Sequence, residues 1–110
     1  VQHIWERGHP SLLAELNKCG YINVVLEFDA DKNAINVSKH GLSLAEAERI
    51  DLLTAAVEID DREDYGETRY RAFARVDGQG FCFVFTVRGT VVRAISLRRA
   101  HEKEMRRYER

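Results

Sequence analysis

The stretch Thr68–Leu97, TRYRAFARVDGQGFCFVFTVRGTVVRAISL, decides the fold. It holds three runs rich in β-branched and aromatic residues: TRYRAFARV, FCFVFTV and TVVRAISL. They are separated by DGQG (Asp77–Gly80) and by Arg88-Gly89-Thr90. Links that short, carrying glycine after a polar residue, join antiparallel strands as hairpins. Alternation along a strand sends neighbouring side chains to opposite faces. Phe81, Phe83, Phe85 and Val87 therefore share one apolar face, expected to lie beneath helices. In the preceding run, Arg69, Arg71, Phe73 and Arg75 share a face. Guanidinium groups are costly to bury unpaired, so that face is expected to be wetted or bound to anions.

Upstream, VVLEF (Val24–Phe28) forms a first strand. Asp29 or Asp31 then caps a helix that runs to His40 and stops at Gly41. Ser43 and Glu46 make the S-x-x-E pattern of a second helix, SLAEAERIDLL, and TAAVEID supplies a further short strand. Downstream, a closing helix covers about Ala100–Tyr108. The order β-α-α-β-β-β-β-α predicts an α+β fold: an antiparallel sheet of about four to five strands, two helices after strand 1, and a C-terminal helix, with the helices over one face. Residues 1–23, with the helical segment PSLLAELNK (Pro10–Lys18), stand apart as an N-terminal extension, and residues 24–110 form the main domain. His3, Trp5 and His9 in the extension are read as part of a loose end rather than as a metal or stacking site.

At 110 residues, 45% hydrophobic and 32% charged with a single proline, the composition is that of one globular domain. No apolar run is long enough to span a bilayer, and no leader pattern is visible, so export and membrane association are not expected. Cys19 and Cys82 are too few and too far apart for a disulfide framework. Reduced thiols and a cytoplasmic location are expected.

The net charge of −1 conceals a division. Residues 24–70 carry twelve acidic and five basic side chains, and residues 88–110 carry eight Arg or Lys and three Glu. The basic end, ISLRRAHEKEMRRY (Ile95–Tyr108), favours an anionic partner or an acidic protein surface. Arg71, Arg93, Arg98 and Arg99 have the fork geometry that suits phosphate, although arginines on an open sheet also serve simply to solubilise it. Lys32, Asn36 and Lys39 form a stripe on the first helix with His40 beside it. That stripe is either an anion site with a proton-exchanging imidazole or an ordinary helix C-terminus. The acidic tract EIDDREDYGE (Glu58–Glu67) lacks calcium-loop spacing and reads as a solvated loop or partner surface. No zinc spacing, phosphate loop or serine elbow is present, so no cofactor or metal is expected. Cys82 with His40 as a nucleophile pair is outweighed by packing between phenylalanines.

The order LEFD-x2-K-x3-N-x2-KHG-[LV]-S, then E-x-R-Y, then R-x2-S-x-R-R-A-x3-E-x3-Y, resembles the BrnT family of bacterial type II toxins. The elements are Phe28, Asp29, Lys32, Asn36, Lys39, His40, Gly41 and Ser43; Glu67, Arg69 and Tyr70; and Arg93, Ser96, Arg98, Arg99, Ala100, Glu104 and Tyr108. Two positions depart from the pattern: Phe28 stands where the family commonly has tryptophan, and Leu44 where it has phenylalanine. The resemblance implies a RelE-like fold, a metal-independent endoribonuclease acting on cellular RNA, and a BrnA-type DNA-binding antitoxin as partner, in a homodimer or a toxin–antitoxin heterotetramer. RNA brings its own nucleophile, the 2′-hydroxyl. On that expectation His40 moves the proton with Lys39 beside it, and Arg69 and Arg93 hold the reacting phosphate. Lys32, Arg71, Arg98 and Arg99 bind RNA, and Tyr108 stacks a base or donates a proton. The competing expectation is a non-catalytic module whose basic surface docks an acidic partner.

Overall fold

The computed structural model describes residues 25–89 and 91–109. The expected N-terminal extension, with its helix and Cys19, lies outside them. The elements run β1 (Val25–Glu27), α1 (Ala30–His40), a 3₁₀ helix (Leu44–Arg49), β2 (Ala56–Ile59), β3 (Tyr70–Val76), β4 (Gln79–Arg88), β5 (Val91–Arg99) and α2 (Glu102–Tyr108). The α+β architecture is as expected. No helix among the described residues is long and apolar enough to cross a membrane.

The sheet order is β1-β5-β4-β3-β2. β2 to β5 form the antiparallel meander expected from the hairpin links. At the first link Val76 pairs with Gln79, leaving Asp77 and Gly78 as a two-residue turn with φ of 51° and 82°. Positive φ at both positions matches the right-handed twist of the flanking strands, which is why Asp-Gly stands here. Arg88 pairs with Val91 at the second link. β1 departs from the expectation: it pairs parallel to β5, so the sheet is mixed. The chain leaves β1 at one edge and must cross the sheet to begin β2 at the other, a crossing made by α1 and the 3₁₀ helix.

Asp29 caps α1 through a bond from the Lys32 N–H, and Gly41 ends it in the left-handed conformation with φ 70°. Ser43 caps the next segment as expected, but only a 3₁₀ helix of six residues forms. Leu44, Ala47 and Ile50 drop from it into the main core with Tyr70, Ala72, Phe83 and Phe85. The expected apolar face of β4 is therefore the one beneath α1.

The closing helix is the main correction. α2 packs on the opposite face, where Met105 and Ala100 meet Ala56, Phe73, Cys82 and Val84 in a second core. Gly80 makes the approach possible, because a Cβ there would run into the Met105 side chain. Helices thus cover both faces, and the arginine face of β3 is partly roofed by α2.

Candidate functional site

Strand register builds the arginine face row by row. Glu58, Arg71, Val84 and Ser96 stand side by side across β2, β3, β4 and β5, and Ala56, Phe73, Cys82 and Arg98 form the next row. Glu58 Oε1 accepts from Arg71 Nη2 at 2.5 Å and from the Tyr108 hydroxyl at 3.0 Å. Tyr108 arrives from α2 and lies on Phe73, with ring centroids 4.0 Å apart and planes 10° from parallel. The Glu58 and Arg71 side chains are about four-fifths buried, at 21% and 22% exposure, and Arg71 Nε is buried without a partner among the described residues. Burial, and then the Glu58 carboxylate, hold the Tyr108 phenol above its ordinary pKa.

The remaining arginines of this face are each met by carboxylate. Arg98 makes a two-pronged pair with Glu104 at 2.9 Å on both prongs. Arg75 is held between Glu102 and Glu109 at 2.8–3.0 Å. Arg93 pairs with Glu27 at 2.7 Å. Arg69 lies 3.4 Å from Glu67 and over the Tyr65 ring, and Arg88 reaches the same Glu67 at 3.2 Å. Glu104 is lowered to about 2, chiefly because Arg98 donates to its ionised form. The expected arginine face exists, but partly buried guanidinium needs a counter-charge. Glu27 of β1, Glu58 of β2, Glu67 before β3, and Glu102, Glu104 and Glu109 in and just after α2 supply it.

Lys39, His40 and Arg99 assemble elsewhere. Arg99 stands opposite Phe81, on the face beneath α1, and its Nη1 donates to the His40 carbonyl at 3.5 Å. Lys39 is exposed in the last turn of α1 and Lys32 in the first. Among the described residues no carboxylate pairs with Lys39 or Arg99. A single patch joining His40 to Arg69 and Arg93 does not form. Alternation along β5 sends Arg98 and Arg99 to opposite faces, and the α1 corner follows Arg99.

Asn36, in the same stripe as Lys32 and Lys39, is buried; its amide bonds Leu42 and Leu97. Cys82 lies on the arginine face, across the sheet from His40, and burial pushes its thiol up to about 11. The acidic tract turns inward at Asp60, which accepts from Arg62 at 2.7 and 2.8 Å and from Tyr65 at 3.3 Å. The Arg62 bond lowers Asp60 to about 2. Among the described residues no three His, Cys, Asp or Glu are grouped to hold a metal ion.

Glu58 is the residue that sequence reasoning passed over, because it sits at the head of the acidic tract. Its position in TAAVEID, two residues from Ala56 on an alternating strand, was the available signal.

The family model of the ribonuclease toxin BrnT, of type II toxin–antitoxin systems, matches residues 28–104. The chain belongs to the BrnT family. No curated protein matches it. Membership makes RNA the substrate class and an antitoxin the partner. In this BrnT-family chain the matched span contains Glu58, Arg71, Arg93, Arg98 and Glu104, together with the α1 corner. Tyr108 lies just beyond its end.

Proposed function

We propose that this chain is an endoribonuclease that cuts RNA without a metal, by attack of the 2′-hydroxyl on the adjacent phosphate, and that its reaction centre is the Glu58–Arg71–Tyr108 group. The observation carrying this is the shared Glu58 oxygen, which joins a base, a phosphate-binding cation and a weak acid within hydrogen-bond reach. Glu58 takes the 2′-hydroxyl proton as the new O–P bond forms. Arg71 stabilises the charge of the phosphorane, and Arg98 and Arg93 hold flanking phosphates by exchanging their carboxylates for phosphate oxygens. The P–O5′ bond then breaks, and Tyr108, whose raised pKa keeps its proton at neutral pH, delivers it to the departing oxygen. The proton on Glu58 returns to Tyr108 through their hydrogen bond, leaving a 2′,3′-cyclic phosphate and a 5′-hydroxyl. A BrnA-type antitoxin would neutralise the toxin in the cytoplasm by covering this face, as part of a toxin–antitoxin assembly.

A second reading keeps His40 as the proton-transfer group, with Lys39 and Arg99 on the phosphate. It is favoured by the absence of carboxylate partners for those two cations among the described residues.

The test is cleavage of RNA by purified protein in the presence of a chelator, with end-group analysis. Glu58→Gln is expected to slow cleavage by about 10²–10⁴-fold, and Arg71→Ala by about 10²–10³-fold. His40→Ala should stay within a few-fold of the parent. The reverse pattern would move the reaction to the α1 corner.

A further inference from the structure

Beside the reaction centre a cleft of about 120 Å³ opens between the turn after the 3₁₀ helix and the end of α2. Arg49, Asp51 and Thr54 line it together with Phe73, Arg75 and Tyr108. We infer that this cleft holds the base of the nucleotide whose 2′-hydroxyl attacks, and that the base it selects is guanine. The inference rests on the Glu58–Arg71–Tyr108 reading of the reaction centre, because it uses Tyr108 as the shared wall.

Three observations support it. The first is position. Tyr108 bonds Glu58 through its hydroxyl while its ring lines the cleft. Phe73 is two residues along β3 from Arg71, on the same face, about 6.5 Å away at strand spacing. A nucleotide with its ribose at Glu58 reaches the cleft with its base.

The second is shape. The volume is well below the ~300 Å³ at which pockets for drug-sized ligands begin and suits one planar ring system. Its lining includes Phe73 and Tyr108; Phe73 is buried against Tyr108, so the Tyr108 ring is the aromatic surface proposed to stack an unpaired base.

The third is the donor and acceptor pattern. Arg75 is committed to Glu102 and Glu109, and Arg49 to Asp77. Asp51 Oδ1 accepts the Leu53 N–H at 3.0 Å, and no cation among the described residues pairs with Asp51. Its second oxygen has no donor among the described residues and is the acceptor assigned to the base. A carboxylate is best met by two adjacent donors. Guanine offers N1–H beside its 2-amino group, whereas adenine and cytosine present one amino group next to a ring acceptor. Uracil presents a single N–H flanked by carbonyl oxygens that repel a carboxylate.

The experiment uses short RNAs that differ only in the base bearing the attacking hydroxyl, cleaved by the full chain with chelator present. Binding of guanosine 3′-monophosphate and adenosine 3′-monophosphate is measured alongside by calorimetry. The parent is expected to favour guanosine by about tenfold or more in both readouts, in line with about 1–3 kcal/mol for a good paired base contact. Asp51→Asn should remove most of that preference. Asparagine keeps an oxygen for the Leu53 N–H, so the turn survives, while its amino group opposes the donors of guanine. Equal cleavage at all bases with equal nucleotide binding, or a preference that Asp51→Asn leaves unchanged, would overturn the inference. Guanosine-selective binding lost in Asp51→Asn, in a protein that cuts no RNA, would uphold the cleft and sink the catalytic reading instead.

Discussion

Asn36 shows how a single residue changes meaning when its surroundings are known. In sequence it completes a polar stripe with Lys32 and Lys39. In the fold its carboxamide replaces a missing strand: β1 pairs with β5 only through Arg93, and Asn36 takes over at Leu97, accepting its N–H and donating to its carbonyl at 3.0 and 2.9 Å. The same amide nitrogen donates to Leu42 O at 2.9 Å, fixing the chain after α1. Asn36→Ala leaves these buried groups unpaired, at about 1–3 kcal/mol each. A loss of roughly 3 kcal/mol in urea unfolding is expected, with Asn36→Asp losing a similar amount because it cannot donate to either carbonyl. A change below about 0.5 kcal/mol would contradict this account. The stripe was legible in the spacing; the burial was not, because helical periodicity places Asn36 beside two lysines and says nothing of a strand that stops short. Glu58 is the complementary case. Parity along β3 put Arg71, Arg75 and Phe73 on one face, but the carboxylate opposite Arg71 depends on the β2–β3 register across a long connection, which residue patterns do not set.

At the scale of elements, the hairpins were legible because Asp-Gly and the glycine at 89 carry a conformational requirement. The side on which α2 docks was not. A seven-residue helix has little stability alone, so its place is set by Met105, Ala100 and Tyr108 and by a partner glycine at position 80, all visible only once packed. Its acids then settle on Arg75 and Arg98. Glu104 falls from an ordinary 4.5 to about 2, and Asp60 on the loop before β3 falls from 3.8 to about 2. Because the folded-state values are depressed, these groups stabilise the fold fully above about pH 4.5. That stability is lost as pH falls toward 2, on the order of 2 kcal/mol for Asp60 and of 3 kcal/mol or somewhat more for Glu104. Urea midpoints should be insensitive to these two groups above pH 5 and fall below it. Glu104→Gln should lower stability at neutral pH and shrink the acid-side decline. A decline of unchanged size in that variant would mean the Arg98–Glu104 pair does not hold α2.

Across the whole molecule, the division of charge along the chain becomes a division between two surfaces. On the sheet's arginine face acid and base are matched, so an RNA strand must exchange with internal carboxylates to gain each guanidinium there. Such an exchange releases few counterions and has a shallow dependence on salt. Lys103, Arg106 and Arg107 on α2 above it, by contrast, are exposed and pair with no carboxylate among the described residues. At the α1 corner Lys39 and Arg99 are unmatched, and binding of phosphate there carries the full counterion-release effect. Under the proposed function, the corner shares the long-range attraction of RNA with the cations of α2, and bond breakage falls to the opposite face, with Arg98 and Arg99 at the end of β5 joining the two. The prediction is specific to that arrangement. Replacing Lys39 and Arg99 with alanine should weaken binding of single-stranded RNA by a similar factor for every sequence. It should also lower the slope of log affinity against log salt by roughly one to two units, at about 0.7 for each phosphate no longer neutralised. Arg71→Ala should cut cleavage while leaving that slope nearly intact. Filter binding across a salt series, run beside the cleavage assay, separates the surfaces. A slope that follows Arg71 and ignores Lys39 and Arg99 would return the whole of RNA recognition to the sheet face.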